Sequence, residues 1–131
     1  LTLTSETVDK QTYWWLEQDL AARQQSTRKI HLLPGFDEYV LGYRDRSAVL
    51  ASEHAQRIVP GGNGVFFPML VVNSQVLGTW KRAIKRQGVE IVLEPFLESA
   101  GWQARVKPEL DHYCRFLGEP LLKASIELPA R

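Results

Sequence analysis

The chain has 131 residues, 44% of them hydrophobic and 24% charged, and a formal net charge of +1. That length is enough for one domain, residues 1–131, to bury a core without metal or disulfide. A charge so close to zero excludes a uniformly basic nucleic-acid binder, so any polyanion site must be a local patch. Cys114 is the one cysteine, which excludes an internal disulfide and a thiolate metal cluster. No apolar run approaches the ~18 residues of a membrane span, and no signal-peptide pattern is visible. An intracellular, cytoplasmic location is expected, with no membrane partner. The chain starts at Leu1, in mid-pattern, so we expect it to be the C-terminal part of something longer.

In chain order, "LTLTS" and "QTYWWLE" read as strands, with Asp9 and Lys10 as the turn between them. A strand would put Trp14 and Trp15 on opposite faces. Residues 18–25 are polar and helix-prone. "KIHLL" is a short strand ended by Pro34-Gly35, a pair suited to a type II turn. Phe36, Tyr39, Val40 and Tyr43 then fall at i, i+3, i+4 and i+7, the spacing of a helical turn with Asp37 near its positive end. Ser52 is placed to cap a further helix reaching Val59, terminated by "PGGNG".

Residues 65–96 hold three strand-like runs, "VFFPMLVV", "QVLGTWKRAIK" and "VEIVLEPF", joined by Asn73-Ser74 and by "RQG". Connections this tight predict an antiparallel meander. Val89, Ile91 and Leu93 share one face and Glu90 and Glu94 the other, as in a half-buried sheet, and Trp80 is predicted to be buried over the space left by Gly78. "KPELDHYCRFLGEP" reads as a helix with Pro108 in its first turn, a stripe of Leu110, Tyr113, Cys114 and Leu117, and Gly118 as its stop. The fold class expected is α+β: a small antiparallel β-barrel or curved sheet with short peripheral helices.

Candidate chemistry is sparse. Asp37, Glu38 and Asp45 could form an acid/base set. Capping and ion-pairing explain them better, because Asp37-Glu38 opens a helix and Asp45 lies between Arg44 and Arg46. His31, His54 and His112 are scattered, and His112 and Cys114 leave different helix faces. No metal or other cofactor is expected. "PGGNG" leads into a strand and lacks the helix N-terminus of a phosphate cradle. The dense basic cluster is "WKRAIKR", residues 80–86, with four cations. Read one way, Lys81, Lys85 and Arg86 form a DNA-contacting hairpin tip, with Arg44 or Arg46 as a second phosphate site. Read the other way, they are a lysine-guarded strand edge.

The runs "LLPGFDEYVLGYRDRS" and "PGGNGVFFPMLVVNSQVLGTWKR" resemble the C-terminal region of bacterial winged-helix DNA-binding-domain proteins. That family includes the AlkZ-like DNA glycosylases. The resemblance is good over residues 30–96 and looser in the flanks. It implies winged-helix domains upstream of Leu1 and duplex DNA as the partner, contacted through the phosphate backbone. It also implies that catalysis sits on an upstream Gln-x-Gln or Gln-x-Asp motif. Neither motif occurs in this sequence, so no catalytic residue carries over. The expected function is a DNA-binding or architectural module; the alternative is a brace for the winged helices that never touches DNA. Residues 32–47 are expected to be chiefly structural.

Overall fold

In the computed structural model, residues 2–17, 29–98 and 101–129 are described. The helix expected at 18–25 lies outside them. Strands β1 (Leu3–Val8) and β2 (Gln11–Leu16) form a separate two-stranded hairpin. Asp9 and Lys10 make its turn, with φ of 49° and 68°, the left-handed pair that matches strand twist in a two-residue connection.

The main sheet has five strands in the order β3 (Ile30–Leu33), β4 (Met69–Val72), β5 (Gln75–Lys85), β6 (Gly88–Pro95), β7 (Leu121–Ile126). The meander is present as expected, with Asn73 and Ser74 at φ of 50° and 64° in the first turn. The barrel is not. The sheet is open, with β3 and β7 as its two edges among the described residues. It is not purely antiparallel either, because β7 runs parallel to β6. A parallel neighbour needs a crossover connection, and the helix α3 (Lys107–Leu117) lies within it.

The sheet is covered on both faces. On one, Leu70, Val72, Trp80, Val89, Ile91 and Leu93 pack with Trp102, Val106, Leu110 and Cys114 from the α3 side. On the other, Met69, Val71 and Val76 pack with Val40, Leu50, Ile58, Phe66 and Phe96. All four β4 residues are therefore buried. Pairing steps from Leu70 with Gly78 to Val71 with Val76, leaving Leu77 as an extra residue. That bulge turns Val76 to the face opposite Trp80.

Trp80 is 5% exposed and donates its indole N–H to Leu33 O at 2.8 Å. The room at Gly78 is used by the β6 backbone rather than by the indole: a Cβ there would sit 2.6 Å from Glu94 O. The α3 stripe is as expected, and Gly118 stops the helix in the left-handed conformation at φ 72°.

Three local expectations change. Helix α1 is one turn, Glu38–Leu41, N-capped by Asp37, whose carboxylate accepts from Tyr39 N at 2.9 Å. Of the four residues at helical spacing only Val40 is fully buried, while Phe36 and Tyr43 are mostly exposed. The turn before α1 carries its positive φ on Phe36 (61°), not on Gly35, so it is not the type II turn expected. Gly35 is required instead by close approach, since a Cβ would meet Phe66 O at 2.8 Å. Ser52 begins a 3-10 turn, Ser52–His54, ahead of α2 (Ala55–Ile58). Ala51 occupies the cap position, and no side chain caps it.

Candidate nucleic-acid interface

Beyond Trp80, residues 81–87 of β5 and its turn are all exposed, while their β6 partners Gly88 and Val89 are buried, so this end of the hairpin shows solvent its β5 strand and turn only. Alternation along β5 splits its cations between two faces. Arg82 turns toward α3, its guanidinium 5.6 Å from the centre of the Tyr113 ring. Lys81 and Lys85 turn outward and meet acids of neighbouring strands. Lys81 Nζ lies 2.7 Å from Glu94 Oε1 and 4.0 Å from Glu127 Oε2; Lys85 Nζ lies 3.8 Å from Glu90 Oε2. The hydrogen bond and charge of Glu94 hold the Lys81 ammonium above its ordinary pKa. Arg86 sits in the exposed turn and has no carboxylate partner among the described residues.

The second group divides as well. Arg46 donates Nε–H to Val40 O at 2.7 Å and stacks 5.1 Å over the Phe66 ring, so it ties α1 to the core. Arg44 is exposed. Asp45 pairs with neither: its carboxylate accepts from Ser47 N at 2.9 Å. That contact, with smaller help from Gln11, holds the carboxyl below its usual range, the reverse of what a general acid needs. Among the described residues no group of three or more His, Cys, Asp or Glu could hold a metal, and no helix is long and apolar enough to cross a membrane.

The sequence reading missed a cleft of about 500 Å³ between β2 and the segment after α1. Gln11, Thr12, Tyr13 and Trp14 form one wall; Tyr39, Tyr43 and residues 45–49 form the other. The available signal was Tyr43, a large ring two residues past the end of its helical turn.

The sequence matches the family described as DNA glycosylase AlkZ-like over residues 2–116. Among solved structures, it is similar to the Streptomyces sahachiroi DNA glycosylase AlkZ, with a TM-score of 0.69 and 28% identity over 97% of this chain. It spans 33% of that protein's length. No significant match is found among curated proteins. With most of its length matched, this chain belongs to the AlkZ-like DNA glycosylase family.

Proposed function

We propose that this chain is the DNA-contacting part of a cytoplasmic repair glycosylase, with winged-helix domains upstream of Leu1 carrying the excision chemistry. It grips the phosphate backbone of duplex DNA and reads no sequence. The observation that carries this reading is membership of a DNA glycosylase family across residues 2–116. The charge distribution supports the place. In a chain of net charge +1, a polyanion can be held only where cations are concentrated and reachable. The exposed β5 strand and its turn offer Lys85 and Arg86, with Lys81 behind them engaged by Glu94. Arg44 is the exposed member of the second group, and Arg46 adds its charge while fixed to Val40 O.

Contacts to phosphate alone predict weak binding, about 10⁻⁴–10⁻⁶ M at physiological salt, with log Kd linear in log salt. The test titrates a labelled duplex with the chain and with a Lys81→Ala/Lys85→Ala/Arg86→Ala variant at several salt concentrations. A shallower slope and weaker binding in the variant are expected. Identical slopes and affinities would remove the hairpin from the interface.

One observation favours the second reading, a brace without DNA contact. Leu3 and Trp14 are 63% and 66% exposed. The pairing of Leu3 with Leu16 and of Ser5 with Trp14 puts both on one face of the β1–β2 hairpin. A face of that kind suits a neighbouring domain. Under the brace reading the variant and the parent bind DNA equally poorly.

A further inference from the structure

The cleft beside β2 is built differently from the hairpin end. Glu6 pairs with Tyr13 and Val8 with Gln11, so the Tyr13 and Gln11 side chains leave the same face of the β1–β2 hairpin. Gln11, Tyr13 and Asp45 line the same cleft, so the face that carries Gln11 and Tyr13 is the one turned to Asp45. Tyr43 lines the opposite wall. Both rings stay in solvent, Tyr13 at 39% and Tyr43 at 65%. The third ring, Tyr39, is fixed by its hydroxyl, which donates to Ser74 O at 2.7 Å.

Two large rings left wet on opposite walls of one cleft are an unused stacking platform. A flat π system entering between them would cover both, and base–aromatic stacking tolerates any base. The polar groups favour a nucleobase over an aromatic side chain. The carboxylate of Asp45 is an anionic acceptor at the cleft wall, suited to the N–H groups on the pairing edge of a base such as guanine. Arg46 lines the cleft with its guanidinium held on Val40 O and over Phe66, and exposed Arg44 adds a second cation next to Asp45 in the chain. The volume, about 500 Å³, lies within the ~300–1,000 Å³ typical of small-ligand sites.

We propose that this cleft binds an unpaired nucleotide, its base stacked between Tyr13 and Tyr43 and its pairing edge turned to Asp45. The inference rests on the reading that the chain works on DNA. It differs from the hairpin contact in gripping a base rather than a phosphate.

The test measures anisotropy of three labelled DNAs with the 131-residue chain: a paired duplex, the same duplex with a one-guanosine bulge, and the single strand. The bulged and single-stranded forms should bind about 10-fold tighter than the paired duplex, as expected for stacking one base. Tyr43→Ala should bring them down to the paired affinity, while Tyr43→Phe, which keeps the ring, should retain the preference. Asp45→Asn should reduce the advantage of a guanosine bulge over a thymidine bulge. Equal binding of paired and bulged duplex overturns the inference, as does a preference that survives both Tyr13→Ala and Tyr43→Ala. A Tyr43-dependent preference alongside duplex binding that ignores the Lys85→Ala/Arg86→Ala change would uphold the cleft and sink the hairpin reading.

Discussion

Replacing Trp80 with alanine probes the packing between the sheet and α3. An indole buries about 200 Å², which at ~25 cal/mol per Å² is about 5 kcal/mol of hydrophobic stabilisation. Alanine's own methyl retains about 1 kcal/mol of that, and the unfolded chain already covers part of the rest. Loss of the edge-on contact with Tyr113 at 5.0 Å, and of the N–H donated to Leu33 O, acts in the other direction. The net expectation is a loss of 3–5 kcal/mol, in the roughly 3–5 kcal/mol range for emptying a core aromatic site. With an m-value of about 2 kcal/mol per M, the urea midpoint should fall by about 2 M. Trp102, buried in the same core, keeps a fluorescence signal in the variant. Because whole-domain stability is typically about 5–15 kcal/mol, Trp80→Phe is the companion variant. It keeps a ring, strands the Leu33 carbonyl, and should cost about 1–2 kcal/mol. If Trp80→Ala melts within about 1 kcal/mol of the parent, the indole is not holding the sheet to α3 and the reasoning fails.

Gly78→Ala would drive a Cβ to 2.6 Å from Glu94 O and 2.7 Å from Pro95 Cα, both backbone. A loss of about 1–3 kcal/mol should appear in thermal unfolding, and an unchanged melting temperature would mean that β5 and β6 can part freely there. Arg46→Ala should cost about 1–2 kcal/mol by freeing Val40 O, whereas exposed Arg44→Ala should stay within about 0.5 kcal/mol; equal effects would refute the division of roles. Burial pushes the Cys114 thiol above its ordinary 9.0 and the Tyr39 hydroxyl above 10.0. The unfolded chain then loses these protons first, so the stability they lend is full below pH 9 and falls as pH rises further. Urea melts at rising pH should show that decline, and Cys114→Ala should flatten its onset. The purified chain should release no alkylated base from DNA; release abolished at Asp37 or Asp45 would make it an enzyme in its own right.

The sequence made legible whatever depends on neighbours along the chain. The Asp9-Lys10 and Asn73-Ser74 turns, the alternation of Val89, Ile91 and Leu93, and the Asp37 cap each follow from local backbone preference or period. So does the Pro108-to-Gly118 helix. What it hid depends on contacts between distant segments. Strand β7, "LLKASI", has an exposed pattern and no turn linking it to β6, and its parallel pairing across α3 leaves no local mark. The open sheet follows from this: α3 and residues 102–106 cover the face that a barrel would have closed upon itself. Gly35 and Gly78 read as turn and packing residues, yet both are fixed by the approach of a distant backbone, that of Phe66 at Gly35 and of strand β6 at Gly78. The Tyr13–Tyr43 cleft joins segments thirty residues apart, which no periodicity joins.

The same limit governs the candidate DNA surface, since a strand's charge belongs partly to its neighbours. Counted along the chain, residues 80–86 carry four cations. In the sheet, Lys81, Lys85 and Lys123 of β5 and β7 share their outward face with Glu90, Glu94 and Glu127, so that face is close to neutral. A phosphate approaching Lys81 must displace a carboxylate already 2.7 Å away, and gains little by the exchange. Lys85 is held at 3.8 Å, past direct hydrogen-bond reach, and Arg86 has no acid beside it among the described residues. The three cations should therefore separate in a salt titration. Each real phosphate contact contributes about 0.9 to the log–log slope. Lys85→Ala/Arg86→Ala should then lower the slope by about 1.8, while Lys81→Ala alone changes it by less than about 0.5. Equal slope losses for all three residues would show that DNA strips Glu94 from Lys81, and that the charged ladder opens on binding.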